Sequence, residues 1–245
     1  MSTERYLWAN WPAPENIKAL VTTRNGGLSA GGYTSFNLGL SSGDQPATVH
    51  ANRQLLQQDL NIRPRWLKQT HGIAVADACQ DPEGTEADAA VARQPGSVCA
   101  VLTADCLPVL FCDRDGTAVA AAHAGWRGLA NGVLEATVQS MGVPAESIMA
   151  WFGPAISIQH FEVGPEVREQ FITHDSGAAQ AFIPGIGDRW FANLYALARR
   201  RLESLGIHHI NGGKYCSYAQ PELFFSYRRD GAQSGRMASL IWIEA

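Results

Sequence analysis

The sequence between residues 98 and 123 reads VCAVLTADCLPVLFCDRDGTAVAAAH. Its apolar residues fall into three short runs, 98–103, 107–112 and 118–123. Short runs rich in apolar and β-branched residues, bounded by Asp, Pro and Gly, predict strands that are mostly buried in a sheet. Asp and Gly suit the positive φ angles of tight turns, so the D-R-D-G segment at 113–116 predicts a hairpin that joins the second and third strands.

The rest of the chain predicts more strands than helices. Further strand-like runs lie at 17–23, 73–76, 148–152 and 239–243, and helical patterns lie at 46–60, 127–141, 165–172 and 190–205. Because the two kinds of element do not alternate strictly, they favour an α/β (α+β) sandwich of mixed β-sheets flanked by helices over a doubly wound Rossmann sheet. No G-x-G-x-x-G or Walker-type lysine loop is present. We predict a single domain over residues 1–245, since no repeat or linker interrupts the pattern.

The composition excludes several classes of protein. Of the 245 residues, 46% are hydrophobic and 17% are charged, which predicts a globular chain. A net charge of −4 without a basic run argues against binding nucleic acid, and the lack of a long apolar run argues against a membrane span. The beginning, MSTERYLWANWPAP, has no export signal and predicts a cytoplasmic location. In the cytoplasm, the five cysteines are expected to be free thiols. The seven histidines suffice for one small metal site.

The predicted hairpin brings Cys106 and His123 together. If its turn centres on residues 114–115, Cys106 lies directly opposite His123. If the turn centres on residues 115–116, Cys106 faces Gly125 and His123 is one diagonal step away. Opposed residues of an antiparallel pair have Cβ atoms roughly 4.5–5.5 Å apart. In either register the two side chains could share a metal ion or act as a nucleophile and its base.

Three more residues extend this pair towards a functional site. Asp105 precedes Cys106 between two apolar strands, where an unpaired carboxylate is costly. The segment A-G-W-R-G after His123 predicts a strand-to-helix turn whose free N–H groups, beside Arg127, could bind an anion. His71 precedes a glycine in LKQTHG, a position that can point a ring into a cleft. With His71 the ligand set would be His2Cys with an open fourth position, as in catalytic zinc sites, but spacing alone leaves its participation open.

Seven motifs resemble those of a known family over essentially the whole chain. They are TADCLPVLF at 103–111, AHAGWRG at 122–128, QTHG at 69–72, GPAI at 153–156, FEVG at 161–164, TTRNGG at 22–27 and FSYRRD at 225–230. Together they resemble the YfiH family, which is also called the laccase-domain, polyphenol-oxidase or peptidoglycan-editing-factor family.

The resemblance implies a fold, a metal and a set of reactions. The fold would be one α/β domain of mixed sheets between helices, and zinc would be held by His71, Cys106 and His123. The implied reactions are phosphorolysis of adenosine, inosine and methylthioadenosine and deamination of adenosine, so the expected partners are purine nucleosides and phosphate. Cys106, His123 and Asp105 are the catalytic candidates. Candidates for substrate contact, in part because the planar arginine fork binds two phosphate oxygens, are Arg24, Asn37, Gln69, Arg127 and Arg229.

The oxidase name and two other functions remain as alternatives. Multicopper oxidases need several His-x-His pairs and this chain has none, so zinc is favoured over copper and over polyphenol oxidase activity. The zinc deaminase signature H-x-E with P-C-x-x-C is also absent, so deamination would need a different constellation. Cys106 and His123 could instead form a metal-free hydrolase that acts on an amide bond of a peptidoglycan precursor. A metal-binding accessory protein without activity is the third alternative. Aromatic residues such as Phe36, Trp126 and Tyr227 are assigned to packing.

Overall fold

Short apolar runs fold as strands throughout the computed structural model, which describes residues 4–244. Within these residues the strands are β1 Tyr6–Trp8, β2 Ile17–Thr22, β3 Pro64–Arg65, β4 Val75–Asp77, β5 Ala89–Ala92, β6 Val98–Thr103, β7 Leu107–Asp113, β8 Val119–Ala124, β9 Ile148–Phe152, β10 Glu162–Val163, β11 Phe182–Pro184, β12 Trp190–Ala192, β13 His209–Gly212 and β14 Met237–Ile243. The α-helices are α1 Pro46–Leu60, α2 Trp126–Asn131, α3 Val133–Met141, α4 Pro165–His174, α5 Leu194–Ser204 and α6 Tyr227–Asp230.

The strands form two large mixed sheets and one small sheet. The first large sheet has the order β1-β2-β14-β6-β3, and the second has the order β13-β9-β7-β8-β5-β4. Strands β7 and β8 pair as the predicted antiparallel hairpin. Strand β6 belongs to the first sheet, so the chain crosses between the sheets at residues 104–106, where Asp105 has a φ of +90°.

The two large sheets pack face to face. In β6, Cys99 and Val101 point into the layer between the sheets and contact residues such as Leu110 and Val119 of the second sheet. The alternate residues Val98 and Ala100 point to the other face of β6. Both faces of β6 are therefore buried in apolar clusters, which explains why this strand is almost continuously apolar.

Helices cover the outer faces of the two sheets. Leu56 of α1 packs on the first sheet together with Trp66. Leu134 of α3 and Leu197 of α5 pack on the second sheet. The layers are thus helix, sheet, sheet, helix, and the predicted sandwich of mixed sheets flanked by helices is confirmed.

Two predicted helices have different bounds in the structure. The helix predicted over 127–141 is broken into α2 and α3 at Gly132, whose φ of +101° ends one helix and begins the next. The segment predicted to be helical from residue 190 begins instead as strand β12, and helix α5 starts after Asn193, whose side chain accepts the N–H of Ala196. Among residues 4–244, no helix combines the length and the apolar character that a bilayer crossing requires.

Candidate metal and substrate site

Three side chains that could hold a metal ion converge in the structure. The ligand atoms of His71, Cys106 and His123 all lie within 4.8 Å of one another. The two imidazole rings meet edge to face, with their centroids 4.8 Å apart. His123 is only 3% exposed, Cys106 is half-buried and His71 is exposed. Across residues 4–244, this is the one group of three or more His, Cys, Asp or Glu side chains with such geometry.

The hairpin register and a glycine create the space for these three ligands. Pro108 of β7 pairs with His123 of β8, and extending this register places Cys106 opposite Gly125. This is the second of the two registers considered from the sequence. A Cβ atom added to Gly125 would lie 3.0 Å from the Cys106 sulfur and 3.2 Å from Cδ2 of His71. A side chain at residue 125 would therefore crowd the cluster.

A carboxylate that the sequence analysis missed orients both histidines. Asp88 is fully buried just before β5. Its Oδ1 accepts the Nδ1 proton of His123 at 2.8 Å and the backbone N–H of His71 at 3.0 Å. Its Oδ2 accepts the backbone N–H groups of Thr70 and Gly72, at 3.0 and 2.7 Å. Asp88 therefore holds the tight loop that carries His71, whose φ is +63°, and fixes the ring of His123.

The donor set fits a metal ion. Because Nδ1 of His123 is bonded to Asp88, Nε2 is the nitrogen of that ring left for a ligand, and a carboxylate behind a histidine is the usual support of a metal-bound imidazole. Two imidazole nitrogens and a thiolate suit zinc and copper. Three protein ligands leave a fourth position for a substrate atom.

In the absence of a metal ion, the electrostatics of the cluster favour a thiolate at Cys106 and an imidazolium at His123. Burial raises the pKa of Cys106, but the charge of His123 and hydrogen bonds with both histidines outweigh it and lower that pKa to about 6. Burial lowers the pKa of His123, but the Cys106 charge and the hydrogen bond to Asp88 outweigh it and raise that pKa to about 9. In contrast, burial raises the pKa of Cys112 to about 12. Cys106 is thus prepared as a thiolate, the form that binds metals or attacks electrophiles.

The cluster lies on the wall of a cavity of about 670 Å³. Aromatic side chains line other parts of the wall, namely Trp66, Phe161 and Tyr227. Positive charge comes from three arginines, Arg53, Arg228 and Arg236. A cavity of this size with apolar walls and a few convergent polar groups is typical of a site for a small molecule.

Two of the other predicted site residues line this cavity. Asp105 is 8% exposed, and its two oxygens accept the hydroxyl proton of Ser217 at 2.7 Å and the backbone N–H of Arg228 at 2.6 Å. Gln69 also lines the cavity, but its side-chain amide is paired twice with the backbone of Leu102, at 2.9 and 2.7 Å. Gln69 therefore anchors its loop to β6.

The three predicted substrate-binding arginines do not line the cavity. Arg24 donates to the carbonyl of Thr34 and stacks on a phenylalanine ring. Arg229 donates to the carbonyls of residues 217, 218 and 224 and pairs with Asp230. Arg127 is exposed, and its guanidinium stacks over the Trp126 ring at 4.6 Å. The structure gives the first two of these side chains structural hydrogen bonds.

Four residues that line the cavity or support the cluster are not among the site residues predicted from the sequence. Asp88 lies in an alanine-rich segment without a motif, and Arg236 lies just before the predicted strand 239–243. Arg228 lies in the FSYRRD motif next to the predicted Arg229, and the sequence does not distinguish the two arginines. Tyr227 is 53% exposed on the cavity, although the sequence analysis assigned it to packing.

Comparison with known proteins identifies the family. The model of the multi-copper polyphenol oxidoreductase laccase family matches residues 18–244. The chain is 51% identical over 236 residues to a protein named purine nucleoside phosphorylase YfiH from Escherichia coli, covering 95% of this chain and 96% of that protein. It is 48% identical over 241 residues to a purine nucleoside phosphorylase from Pseudomonas aeruginosa, covering 98% of each. The chain therefore belongs to this laccase-like family, the family of YfiH.

A solved structure supports the same assignment. A crystal structure of a Neisseria meningitidis protein superposes with a TM-score of 0.96 at 52% sequence identity, covering 99% of this chain and all of that one. The mixed-sheet sandwich described above is thus the fold of this family.

Proposed function

We propose that the chain is a zinc-dependent purine nucleoside phosphorylase that acts on adenosine, inosine and methylthioadenosine and also deaminates adenosine. The observation that carries the proposal is the position of His71, Cys106 and His123 on the wall of a cavity of about 670 Å³, which is large enough for a nucleoside and a phosphate ion. The names of the relatives from Escherichia coli and Pseudomonas aeruginosa support the reaction class.

Zinc is proposed over a copper centre because of the ligand count. In the described part of the chain, the ligand cluster contains three residues, whereas a blue copper together with a trinuclear cluster needs many more histidines. Zinc readily accepts two histidines, one cysteine and an open position. The site also requires a reduced thiol, and all five cysteines are free, which supports a cytoplasmic location.

In the proposed phosphorolysis, an oxygen of hydrogen phosphate forms a bond to C1′ of the ribose while the bond from C1′ to the purine nitrogen breaks. The electron pair of that bond leaves with the purine, and the proton of hydrogen phosphate ends on the purine. Bound zinc would supply Lewis-acid polarisation of a substrate atom next to Cys106. The exposed ring of Tyr227 and the ring of Phe161 offer surfaces on which a purine can stack.

In the proposed deamination, water adds to the purine carbon that bears the amine, and ammonia leaves. A proton must move from the water to the departing nitrogen. Asp105 is the proposed carrier because it lines the cavity beside Cys106 and each of its oxygens has a second lone pair beyond the hydrogen bond that it accepts.

The decisive experiment compares two cysteine variants. Wild type, Cys106→Ser and Cys79→Ser are analysed for bound metal and incubated with phosphate and each of the three nucleosides. Cys79 is the matched control because it is also a half-buried free thiol. We expect one zinc per chain and release of purine from wild type and Cys79→Ser, and loss of both from Cys106→Ser. Zinc content and phosphorolysis that survive unchanged in Cys106→Ser would overturn the proposal.

One observation favours a second candidate, a cysteine hydrolase. Asp88, His123 and Cys106 are arranged as carboxylate, imidazole and thiol: Asp88 is hydrogen-bonded to Nδ1 of His123, and the ligand atoms of His123 and Cys106 lie within 4.8 Å of each other. Such a triad activates a thiolate for attack on an amide, for example in a peptidoglycan precursor. Metal-stripped protein that hydrolyses an amide substrate, and loses this activity on alkylation of Cys106, would establish this function in place of the first.

A further inference from the structure

Arg236 is the residue just before β14, and it lines the cavity. The side chain is half-buried, and its Nη1 donates to the carbonyls of Ser234 and Gly235 at 2.6 and 2.9 Å. These two bonds hold one edge of the guanidinium. Nε and Nη2 form no hydrogen bond with residues 4–244, so they are available to a ligand.

The path of this side chain is fixed by two residues of another loop. The backbone N–H of Arg236 donates to the side-chain oxygen of Asn37, which is fully buried and also accepts the N–H of Gly39. A Cβ atom at Gly39 would lie 2.6 Å from Cγ of Arg236. The arginine stem therefore crosses the bare backbone of Gly39, which directs the guanidinium along the cavity wall.

The guanidinium lies within electrostatic reach of the reacting centre. Burial lowers the pKa of Arg236, and the negative charges of Cys106 and Asp105 oppose this effect. The guanidinium is also 5.7 Å from the centre of the Tyr227 ring. Arg236 thus lines the same cavity as Tyr227, the aromatic surface proposed for the purine, and as Cys106, whose charge acts on it.

The other two cavity arginines are less suited to hold an anion at this place. Arg53 stacks on Trp66 at 4.1 Å and donates its Nε to the carbonyl of Leu38, and the charge that acts on it is that of Glu83. Arg228 is exposed, and its Nη1 donates to the carbonyls of residues 160 and 162. Arg53 is therefore held on the Trp66 ring, and Arg228 is held by two backbone carbonyls in an exposed position.

We propose that Arg236 binds the phosphate co-substrate through its free Nε and Nη2 edge and presents it to C1′ of the nucleoside. The inference rests on the proposed phosphorolysis and assigns its second substrate a site. Two adjacent N–H groups of one guanidinium match two oxygens of phosphate, which a lysine in the same place cannot reproduce.

The test separates phosphate from nucleoside. Zinc-loaded wild type, Arg236→Gln and Arg236→Lys are compared for the KM of phosphate, the KM of inosine and the rate of adenosine deamination without phosphate. We expect the phosphate KM to rise roughly 10- to 100-fold in Arg236→Gln and less in Arg236→Lys, since a charge-assisted pair of hydrogen bonds is lost or halved. The inosine KM and the deamination rate should stay within about threefold of wild type, because neither requires the phosphate contact.

Two controls keep the outcome unambiguous. Arg114→Gln removes an exposed arginine from the opposite end of the β7–β8 hairpin and should leave all three quantities unchanged. Thermal unfolding establishes that each variant is folded, and if Arg236→Gln is not, the comparison of Arg236→Lys with wild type decides. An unchanged phosphate KM in a folded Arg236 variant, or an equal loss of deamination, would overturn the inference. A wild type that shows no phosphorolysis would refute the proposed function itself.

Discussion

Replacing Asp88 with asparagine tests how the proposed metal ligands are held. The substitution preserves shape but replaces one carboxylate oxygen with an NH2 group, which donates hydrogen bonds and cannot accept them. If that group takes the place of Oδ2, the N–H groups of Thr70 and Gly72 lose their acceptor. If it takes the place of Oδ1, the loop keeps those two bonds, but the NH2 faces Nδ1 of His123 and the backbone N–H of His71. The second arrangement loses fewer hydrogen bonds and is the one we expect.

In this arrangement Nδ1 of His123 must accept a hydrogen bond, so its proton moves to Nε2. Nε2 is the nitrogen left for the metal, and a protonated nitrogen cannot be a ligand. Loss of such a support behind a metal-bound histidine typically weakens metal binding about 10- to 100-fold, or about 1.4–2.7 kcal/mol. The fold should survive, since only one or two charge-assisted hydrogen bonds, worth about 1.5–3 kcal/mol each, are lost.

The assay is a competitive zinc titration of folded, metal-stripped protein. Asp113→Asn is the matched control, because Asp113 is also a buried carboxylate that accepts three hydrogen bonds, from Thr117 and Ala118, at the far end of the same hairpin. We expect Asp113→Asn to lower the unfolding temperature but to bind zinc like wild type. Asp88→Asn should lose zinc affinity. Equal zinc affinity in Asp88→Asn and wild type would refute the reasoning.

Three further outcomes follow from the geometry. Zinc at about 100 times its Kd should stabilise stripped wild type by about 2.7 kcal/mol in thermal unfolding and leave Cys106→Ser unshifted; an equal shift in both would place the metal elsewhere. Gly125→Ala should reduce bound zinc with little change in backbone stability, because the new methyl group lies 3.0 Å from the Cys106 sulfur while φ of Gly125 is an ordinary −60°; full zinc occupancy would contradict this. Arg229→Gln should lower the unfolding temperature without raising the KM of phosphate, since its guanidinium is bonded to backbone carbonyls and Asp230; a raised KM would return Arg229 to the substrate site.

The sandwich and the hairpin could be predicted because their signals are local. Apolar runs between turn residues define β6, β7 and β8 without knowledge of the rest of the chain. Elements with weaker local signals were missed: β5 is mostly alanine, and β12 continues directly into a helical pattern. The break at Gly132 was also missed, because a single glycine within a periodic pattern can remain helical.

The candidate site was only partly predictable because it is assembled from distant segments. Turn geometry related Cys106 to His123, and His71 was added through the family resemblance. The direction of an arginine depends on which carbonyls surround it, so Arg229 and Arg236 look equivalent in the sequence and differ in the structure. Asp88 acts on groups 16 to 18 residues before it and 35 residues after it, a relation that no short motif records.

The hydrogen bonds of Asp88 have a consequence for the relation between folding and metal binding. Two of the three proposed metal ligands, His71 and His123, are positioned by hydrogen bonds to Asp88, and the third, Cys106, directly precedes β7, a strand that is buried along its whole length. These contacts involve the polypeptide alone, so the proposed site can form before an ion binds. An ion that binds to this proposed site would then meet a folded chain and could be exchanged without unfolding of the sandwich. If activity depends on zinc as proposed, the metal supply of the cell would govern how much of the protein is active, while leaving unchanged how much of it is folded.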